Sequence, residues 1–380
     1  SISVICLMLF MTISILSSSL ALRNTMQREL VEMTPVDLNL YKTANLPESY
    51  IKYGKEVKTT EAQRADSRIT LQETLKNNGL DMTLLKDVIE IPIYATNDLT
   101  MGDFLKNKLQ SIKLEFPMLA YETAEEIVKI SDYNKIASLY GIEQYELKDN
   151  EYIVLCDFDG IGTIRDRVLA DENILEIAGK EYKSKYNECK SGFIMMSTSH
   201  MNTGIILVPD SCNLTDDMKE KQFLVANFNA NTDEKKQEIE EIFRSNDSVL
   251  MQNLNENGLE IDGMTKISII ESSVGVATIV TFIAIYLGII FLIASSAILA
   301  LKQLTDSSDN KQRYTILRKI GCDEKMINKA LFRQIGIFFG VPLVLAIIHS
   351  VFGIKFCNFL LSSFGAANLV SSIIGVAIFI

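Results

Sequence analysis

"SSVGVATIVTFIAIYLGIIFLIASSAILAL", Ser272 to Leu301, runs for 30 residues without an Asp, Glu, Lys or Arg. About 20 such residues suffice to cross a bilayer as a helix, so the stretch reads as a transmembrane helix with length to spare. Ser1 to Leu22 lacks the same four residue types, and Gln334 to Ile354 is a third uncharged run, of 21 residues. A fourth, Phe356 to Ile380, opens with polar breaks at Asn358, Gly365 and Asn368 and turns apolar at Leu369. The sequence stops inside that run, and it starts without Met or a basic flank, so it reads as a fragment open at both ends. A cleaved signal peptide competes for Ser1 to Leu22, but the charge-free start, the length and the later spans weigh against it.

With 380 residues, 48% of them hydrophobic, and a formal net charge of -11, the composition alone suits a soluble acidic enzyme. The distribution of charge excludes it. Arg23 to Lys266 carries a net -15, whereas Lys302 to Arg333 carries +4. Basic loops stay on the cytoplasmic side of bacterial membranes, which places 302–333 inside and the acidic segment outside. The expected fold is therefore a membrane protein: an α-helical transmembrane bundle of four spans with a large extracellular domain between the first and second. Spans are expected at 1–22, 269–301 and 334–354, with 369–380 the truncated start of a fourth. The extracellular domain occupies 23–268, the cytoplasmic loop 302–333 and a short extracellular loop 355–368, in a multi-pass protein of a bacterial plasma membrane.

Within the exterior segment, short β-branched or aromatic runs mark strands at 36–41, 88–94, 152–158, 192–198, 204–209 and 223–228. Helices are expected over 61–77, in part of "EEIVKISDYNKIASLYG", and in "TDEKKQEIEEIFRSN" behind a Thr cap. Mixing without regular βαβ alternation points to an α+β domain. Its edges are expected to continue as helix beyond the membrane and form a stalk, since neither "LRNTMQRELVEM" nor Thr265 to Leu304 contains Pro. Cys156, Cys189 and Cys212 lie in this segment; their spacing matches no metal motif, and they read as structural thiols, with one disulfide open as an alternative.

The polar clusters offer little catalysis. "YIVLCDFDGIGT" resembles the nucleophile motif of haloacid-dehalogenase-type phosphatases, with Asp157 and Asp159 as the two carboxylates. The Thr that should follow the Gly directly comes two residues late, at Thr163, so a strand ending in an Asp-Gly turn is the preferred reading. His200, in "STSHMNTG", reads as a polar loop histidine. His349 lies inside the third span, where an ionisable group is uncommon, and reads as a polar residue near the membrane interface. No G-x-x-x-x-G-K-[ST] phosphate loop occurs, so any ATP and Mg would be held by another chain and no cofactor is expected on this one. Gly336 and Gly340 form G-x-x-x-G, and Ser273 and Ala277 a pair of small residues at the same spacing; both read as helix-packing positions, chiefly within the chain.

The interior loop holds the densest signal. In "RYTILRKIG", Tyr314, Leu317 and Ile320 recur every three residues with Arg313 and Arg318 elsewhere on the wheel. Gly321 can end a helix, Asp323 can cap the next, and Met326, Ile327, Ala330 and Leu331 form a second apolar stripe. Two short amphipathic helices of this kind either lie in the headgroups or fit a groove on a cytoplasmic partner.

Arg313-x-x-x-Leu317-Arg318-x-x-Gly321, set between the second and third spans after a large exterior domain, resembles the signature of the FtsX-like permease family, which includes the MacB and BceB types of ABC transporter. The resemblance covers the last 115 residues well and the exterior domain only by size and position. Thr315 stands where such permeases often carry an acidic residue. What the resemblance implies is a non-catalytic permease subunit whose loop, through Arg313, Tyr314, Leu317, Arg318, Ile320 and Gly321, acts as a coupling helix on a separate ABC-type ATPase. ATP-driven closure of two such ATPase subunits would move the exterior domain, for export, extraction or resistance involving peptides or lipids. Besides the ATPase and the lipid bilayer, a second permease half or copy and a peptide or lipid ligand of the exterior domain are the partners to expect; nucleic acid is not. Two other functions compete: a regulator that activates an extracellular cell-wall hydrolase, and a membrane receptor with a sensing ectodomain.

Overall fold

The computed structural model describes residues 2–52, 54–96, 98–171 and 174–362. The chain divides into two compact units, Glu29–Ser272 and a helical unit made of residues up to Arg28 and from Ser273 onward. Helix α1 (Ile2–Met33) precedes strand β1 (Leu38–Thr43) and the hairpin of β2 (Ser49–Lys52) and β3 (Lys55–Lys58). Helices α2 (Glu61–Asp66) and α3 (Leu71–Asn77) lead to β4 (Leu85–Tyr94), then α4 (Met101–Leu105) and α5 (Leu109–Glu115). Next come β5 (Glu126–Lys129), α6 (Ile130–Tyr140), β6 (Glu151–Leu155), α7 (Asp159–Leu169), β7 (Ile174–Ile177) and β8 (Lys180–Ser184). β9 (Ile205–Val208), β10 (Lys219–Phe228), α8 (Asp233–Arg244), α9 (Val249–Glu256) and β11 (Asp262–Thr265) complete the mixed part. The long helices α10 (Lys266–Lys319) and α11 (Glu324–Ser362) follow.

In the Glu29–Ser272 unit, nine strands form one mixed sheet in the order β11-β1-β10-β4-β5-β9-β6-β8-β7. The β5–β9 and β6–β8 pairs are parallel and the others antiparallel. Side chains alternate between the two faces with the strand period of two. Ile153, Leu155, Ile205, Leu207, Phe223 and Val225 enter one core, which Tyr133, Ile136, Ala137 and Tyr140 of α6 cover. On the other face, Tyr152, Val154, Ile206 and Val208 pack against Phe104, Ile112, Ile164 and Val168 of α4, α5 and α7. Leu224, Ala226 and Phe228 meet Leu71, Leu75, Ile239, Leu250 and Leu254 of α3, α8 and α9. Burial on both faces explains the unbroken apolar runs of β6 and β9.

Two expectations for this unit are corrected. The stretch 61–77 is two helices, because Thr70 starts the second with its own capping box: its hydroxyl accepts from Glu73 N, and the Glu73 carboxylate accepts from Thr70 N. The stretch 192–198 is not a strand. Phe193, Ile194 and Met196 are buried, but their backbone is held by side chains instead of a ladder. Tyr140 Oη donates to Ile194 O at 2.6 Å, Met196 N donates to Asn39 Oδ1 at 3.1 Å, and Asn202 Nδ2 donates to Gly192 O at 2.8 Å. Sequence periodicity carries no sign of such partners.

The helical unit also departs from expectation. The 302–333 segment does not form two separate short helices; it is the end of α10 and the beginning of α11. Nothing between Gly288 and Gly321 breaks the helix, and Lys302 bridges Asp306 one turn on at 2.8 Å. α10 therefore runs 54 residues, about 80 Å at 1.5 Å per residue. α11 continues past Lys355 into the region expected as a loop, and the expected fourth span, 369–380, lies outside the described residues. Among the described residues, a Cβ at Gly336 or Gly340 would meet nothing within 4 Å. Closer packing is found at Gly288, where an added Cβ would lie 3.0 Å from Leu16, and at Gly353, where it would lie 2.6 Å from the Phe10 ring. Ser273 is buried, Ala277 half-buried, and His349 sets its ring edge-on to Phe10 with centroids 6.5 Å apart.

Phe223 is wholly buried where β10 feeds the α6-side core. Phe223→Ala should cost about 3–5 kcal/mol, read as a lower urea midpoint in pulse proteolysis of the detergent-solubilised chain. An unchanged midpoint would show that this core does not limit the stability of the unit.

Candidate functional site

The tip of the α10–α11 hairpin is closed by a tight helix end. Gly321 takes φ +91°, Cys322 N donates to Leu317 O and Gly321 N to Arg318 O, both at 3.1 Å. This is the Schellman pattern, and it needs a residue that tolerates the left-handed region, hence Gly. Met326 N and Ile327 N return to Asp323 O at 3.0 and 3.2 Å as α11 begins. Across the hairpin, Tyr314 Oη bonds Gln334 Oε1 at 2.9 Å, and Arg318 Nε donates to Glu324 Oε1 at 2.6 Å.

These contacts sort the residues singled out in the sequence. Tyr314 and Leu317 are half-buried, whereas Arg313, Arg318 and Ile320 are exposed. Ile327 of the second stripe is buried. The apolar surface at the tip consists of Ile316, Ile320 (71% exposed), Met326 and Phe332 (80% exposed). Sequence reading missed Ile316, which falls outside the Tyr314–Leu317–Ile320 repeat, and Phe332, which falls outside the Met326–Ile327–Ala330–Leu331 stripe. The four-residue step from Ile316 to Ile320 was the available signal.

The Glu29–Ser272 unit holds a separate candidate, a cleft of about 520 Å³. Met33, Met101, Leu119, Phe193, Met196 and Met201 supply much of its apolar lining. Arg165, 3% exposed, stands in its wall beside the equally buried Glu125. Nη2 donates to both Glu125 oxygens, at 2.9 and 2.8 Å, and Nε donates to Thr203 O at 2.7 Å. The Phe104 ring lies 4.9 Å from Cζ. Gly204 packs against the guanidinium so closely that a Cβ there would collide with it. Burial by itself would lower the Arg165 pKa, but the charge and hydrogen bonds of Glu125 outweigh it and the net direction is up. Sequence reading missed Arg165 and Glu125, which sit 40 residues apart in stretches with no motif.

Asp157 and His200 also meet. His200 Nδ1 lies 3.1 Å from Asp157 Oδ2 and Nε2 lies 3.4 Å from Glu32 Oε2, while Asn202 N donates to Asp157 Oδ1 at 2.7 Å. Asp157 is thus engaged in holding the 197–204 loop, and Asp159 belongs to the first turn of α7. Among the described residues no group of three or more His, Cys, Asp or Glu could hold a metal ion. Cys156 and Cys189 adjoin as free thiols; a hydrogen bond from Cys189 holds Cys156 below the usual thiol range.

The His200 pKa is raised to about 9, first by the hydrogen bond to Asp157, then against the opposing effect of burial by the Asp157 charge. A folded-state value above the ordinary 6.5 means that protonated His200 stabilises the fold fully below that pH. The contribution is lost as pH rises toward about 9. His200→Gln should flatten the fall in melting temperature over this window while changing little above it. A wild-type melting temperature that rises from pH 6.5 to about 9 would contradict the assignment.

Among the described residues, three helices, in Cys6–Met33, Lys266–Lys319 and Glu324–Phe356, are long and apolar enough to cross a membrane, which with the large α/β unit is the make-up of a membrane protein. No protein-family model matches the chain. Over 84 residues, 22% of this chain and 13% of the relative, it is 42% identical to the bacitracin export permease protein BceB of Bacillus subtilis (strain 168). Over 74 residues, 20% of this chain and 12% of the relative, it is 31% identical to the ABC transporter permease protein YxdM of the same organism. A longer match, 22% identical over 332 residues, covers 86% of this chain and 47% of the uncharacterized ABC transporter permease YvcS. The chain thus spans less than half the length of these curated relatives. It is thus similar to ABC transporter permeases, BceB among them.

Proposed function

We propose that the chain is part of the permease subunit of an ABC transporter, and that the α10–α11 hairpin tip seats on a separate cytoplasmic ATPase subunit. The observation that carries this is the tip itself: a Gly321-capped turn, braced by Tyr314–Gln334 and Arg318–Glu324, that leaves Ile320 and Phe332 exposed beside Arg313 and Arg318. Exposed apolar anchors ringed by basic groups fit a groove on a protein partner. In this reading 302–333 is cytoplasmic, the net charge of +4 obeys the positive-inside rule, and 23–268 is extracellular. The spans expected from the sequence are four, the last of them, at 369–380, lying outside the described residues, and the protein is multi-pass in the plasma membrane.

ATP and Mg are held by the partner, and this chain supplies no catalytic group. Helix α10 has no break between Lys266 and Lys319, which suits it to carry a displacement of the tip along its length. The cargo class is peptide or lipid, taken by the 23–268 domain; the name of one relative, bacitracin export, supports a role in peptide-antibiotic resistance. A second permease half or copy completes the assembly, and Gly336 and Gly340, which meet no neighbour among the described residues, are suited to meet it.

Ile320→Asp and Phe332→Asp touch no hydrogen bond of the hairpin and should abolish co-purification of a Walker A-containing ATPase with the full-length protein in detergent, with membrane insertion intact. Retention of the ATPase by both variants would sink the seating of the tip on that subunit and favour a tip that lies in the headgroups.

A further inference from the structure

Cys156 and Cys189 stand at the two ends of the stretch that carries α7, β7 and β8, and backbone pairing brings those ends together. Leu155 and Lys190 form a parallel bridge, in which Cys156 N donates to Lys190 O and Lys190 N donates to Val154 O, both at 2.9 Å. Alternation along a strand then sets the two cysteines on one face, opposite to Leu155. The cores agree: Leu155 enters the α6-side core, whereas Cys156 belongs to the core on the other face and Cys189 packs against it. There the two thiols meet closely enough for Cys189 to hydrogen-bond Cys156. Cys189 N also donates to Asp166 Oδ1 of α7 at 2.6 Å, which fixes its backbone. Cys212 is buried beside Tyr182 instead, so of the three cysteines in this unit the fold brings one pair together.

The two members of the pair differ in exposure and in surroundings. Cys156 is only 7% exposed, whereas Cys189 is partly open to solvent. The Arg165 charge favours a thiolate on either sulfur, while Asp157 opposes it at Cys156 and Asp166 at Cys189. The hydrogen bond places the negative charge on Cys156 and the remaining proton on Cys189. An external reagent can therefore reach Cys189 alone, and a thiolate waits behind it.

We propose that Cys156 and Cys189 are a redox-active dithiol that a small-molecule disulfide converts to an intramolecular disulfide, with Cys189 attacking first and Cys156 resolving. The pair gives up one proton to water, and the proton it shares passes from Cys189 to Cys156. The Cys189 thiolate bonds one sulfur of the reagent RSSR and expels RS⁻. Cys156, losing its proton, then attacks the Cys189 sulfur and expels the second RS⁻. The two cysteines lose two protons and two electrons in all, and RSSR becomes two RSH. The bond ties the end of β6 to the segment that leads into the 192–204 loop. Under the extracellular placement of 23–268 the pair faces the side of the membrane where disulfides persist; the test uses purified chain and does not depend on that placement.

The full chain in nanodiscs is incubated with oxidised glutathione, alkylated with N-ethylmaleimide before and after denaturation, digested and mapped by peptide mass spectrometry. Wild type should yield a Cys156–Cys189 linked peptide that dithiothreitol reverts to two free thiols. Cys156→Ser should collect glutathione on Cys189, whereas Cys189→Ser should collect at least about tenfold less on the buried Cys156. Cys212 should resist alkylation before denaturation in every form, which reports an intact fold. The linked wild type should also show a higher urea midpoint in pulse proteolysis than the reduced chain. No linked peptide, a link to Cys212, or a link formed only where Cys212 has become reactive would overturn the dithiol. Equal glutathione on the two serine variants would overturn the order of attack, and equal urea midpoints would overturn the tether.

Discussion

Backbone N–H and C=O groups that leave water must find partners, and both units of this chain are organised by that demand. In the helical unit the answer is local: each apolar run closes its own hydrogen bonds as helix, the form in which a single segment can cross lipid without a neighbour. In the Glu29–Ser272 unit the answer is partly long-range. β6 and β9 are buried on both faces and depend on ladder partners far away in sequence. The 192–204 segment is packed into the same core and has no ladder. Its backbone is served by Tyr140, Asn39 and Asn202, side chains drawn from an α6 helix, an edge-proximal strand and the loop itself.

That arrangement explains where the polar chemistry gathers. A loop tied down by side chains brings its own polar groups to rest against the sheet, and so Thr203 and Gly204 come to lie on Arg165, and Asn202 and His200 on Asp157. The Arg165–Glu125 pair is the costliest of these contacts, since two desolvated charges are tolerable only while each satisfies the other. The apolar cleft beside it follows from the same geometry, because the loop that covers the pair does not also fill the space between Met33, Met101 and Phe193.

The hairpin tip obeys a different economy. Its turn is set by Gly321 in the left-handed region and by two backbone bonds, and its two legs are bridged by the hydrogen bonds of Tyr314 with Gln334 and of Arg318 with Glu324. Little of the tip is consumed by its own fold, which leaves Ile316, Ile320, Met326 and Phe332 exposed. The Glu29–Ser272 unit, by contrast, spends nearly all its large apolar side chains on its three cores.

Length and hydropathy were enough to identify the long helices, because a charge-free run of 30 residues has no other stable use. The same was true of Gly321 as a helix end, and of the strands whose apolar character is continuous or alternating. The sequence also carried, at Arg313, Leu317, Arg318 and Gly321, the motif on which its resemblance to permeases rests. It did not reveal that the loop is the continuation of two long helices, since an amphipathic repeat looks alike in a short helix and at the end of a long one. Nor could it show that 192–198 is irregular, or that Arg165, Glu125, Thr203 and Gly204 form one cluster. Those outcomes were decided by tertiary structure, because each depends on which distant side chain arrives within hydrogen-bonding or van der Waals reach, and local periodicity holds no information about arrival from 40 residues away.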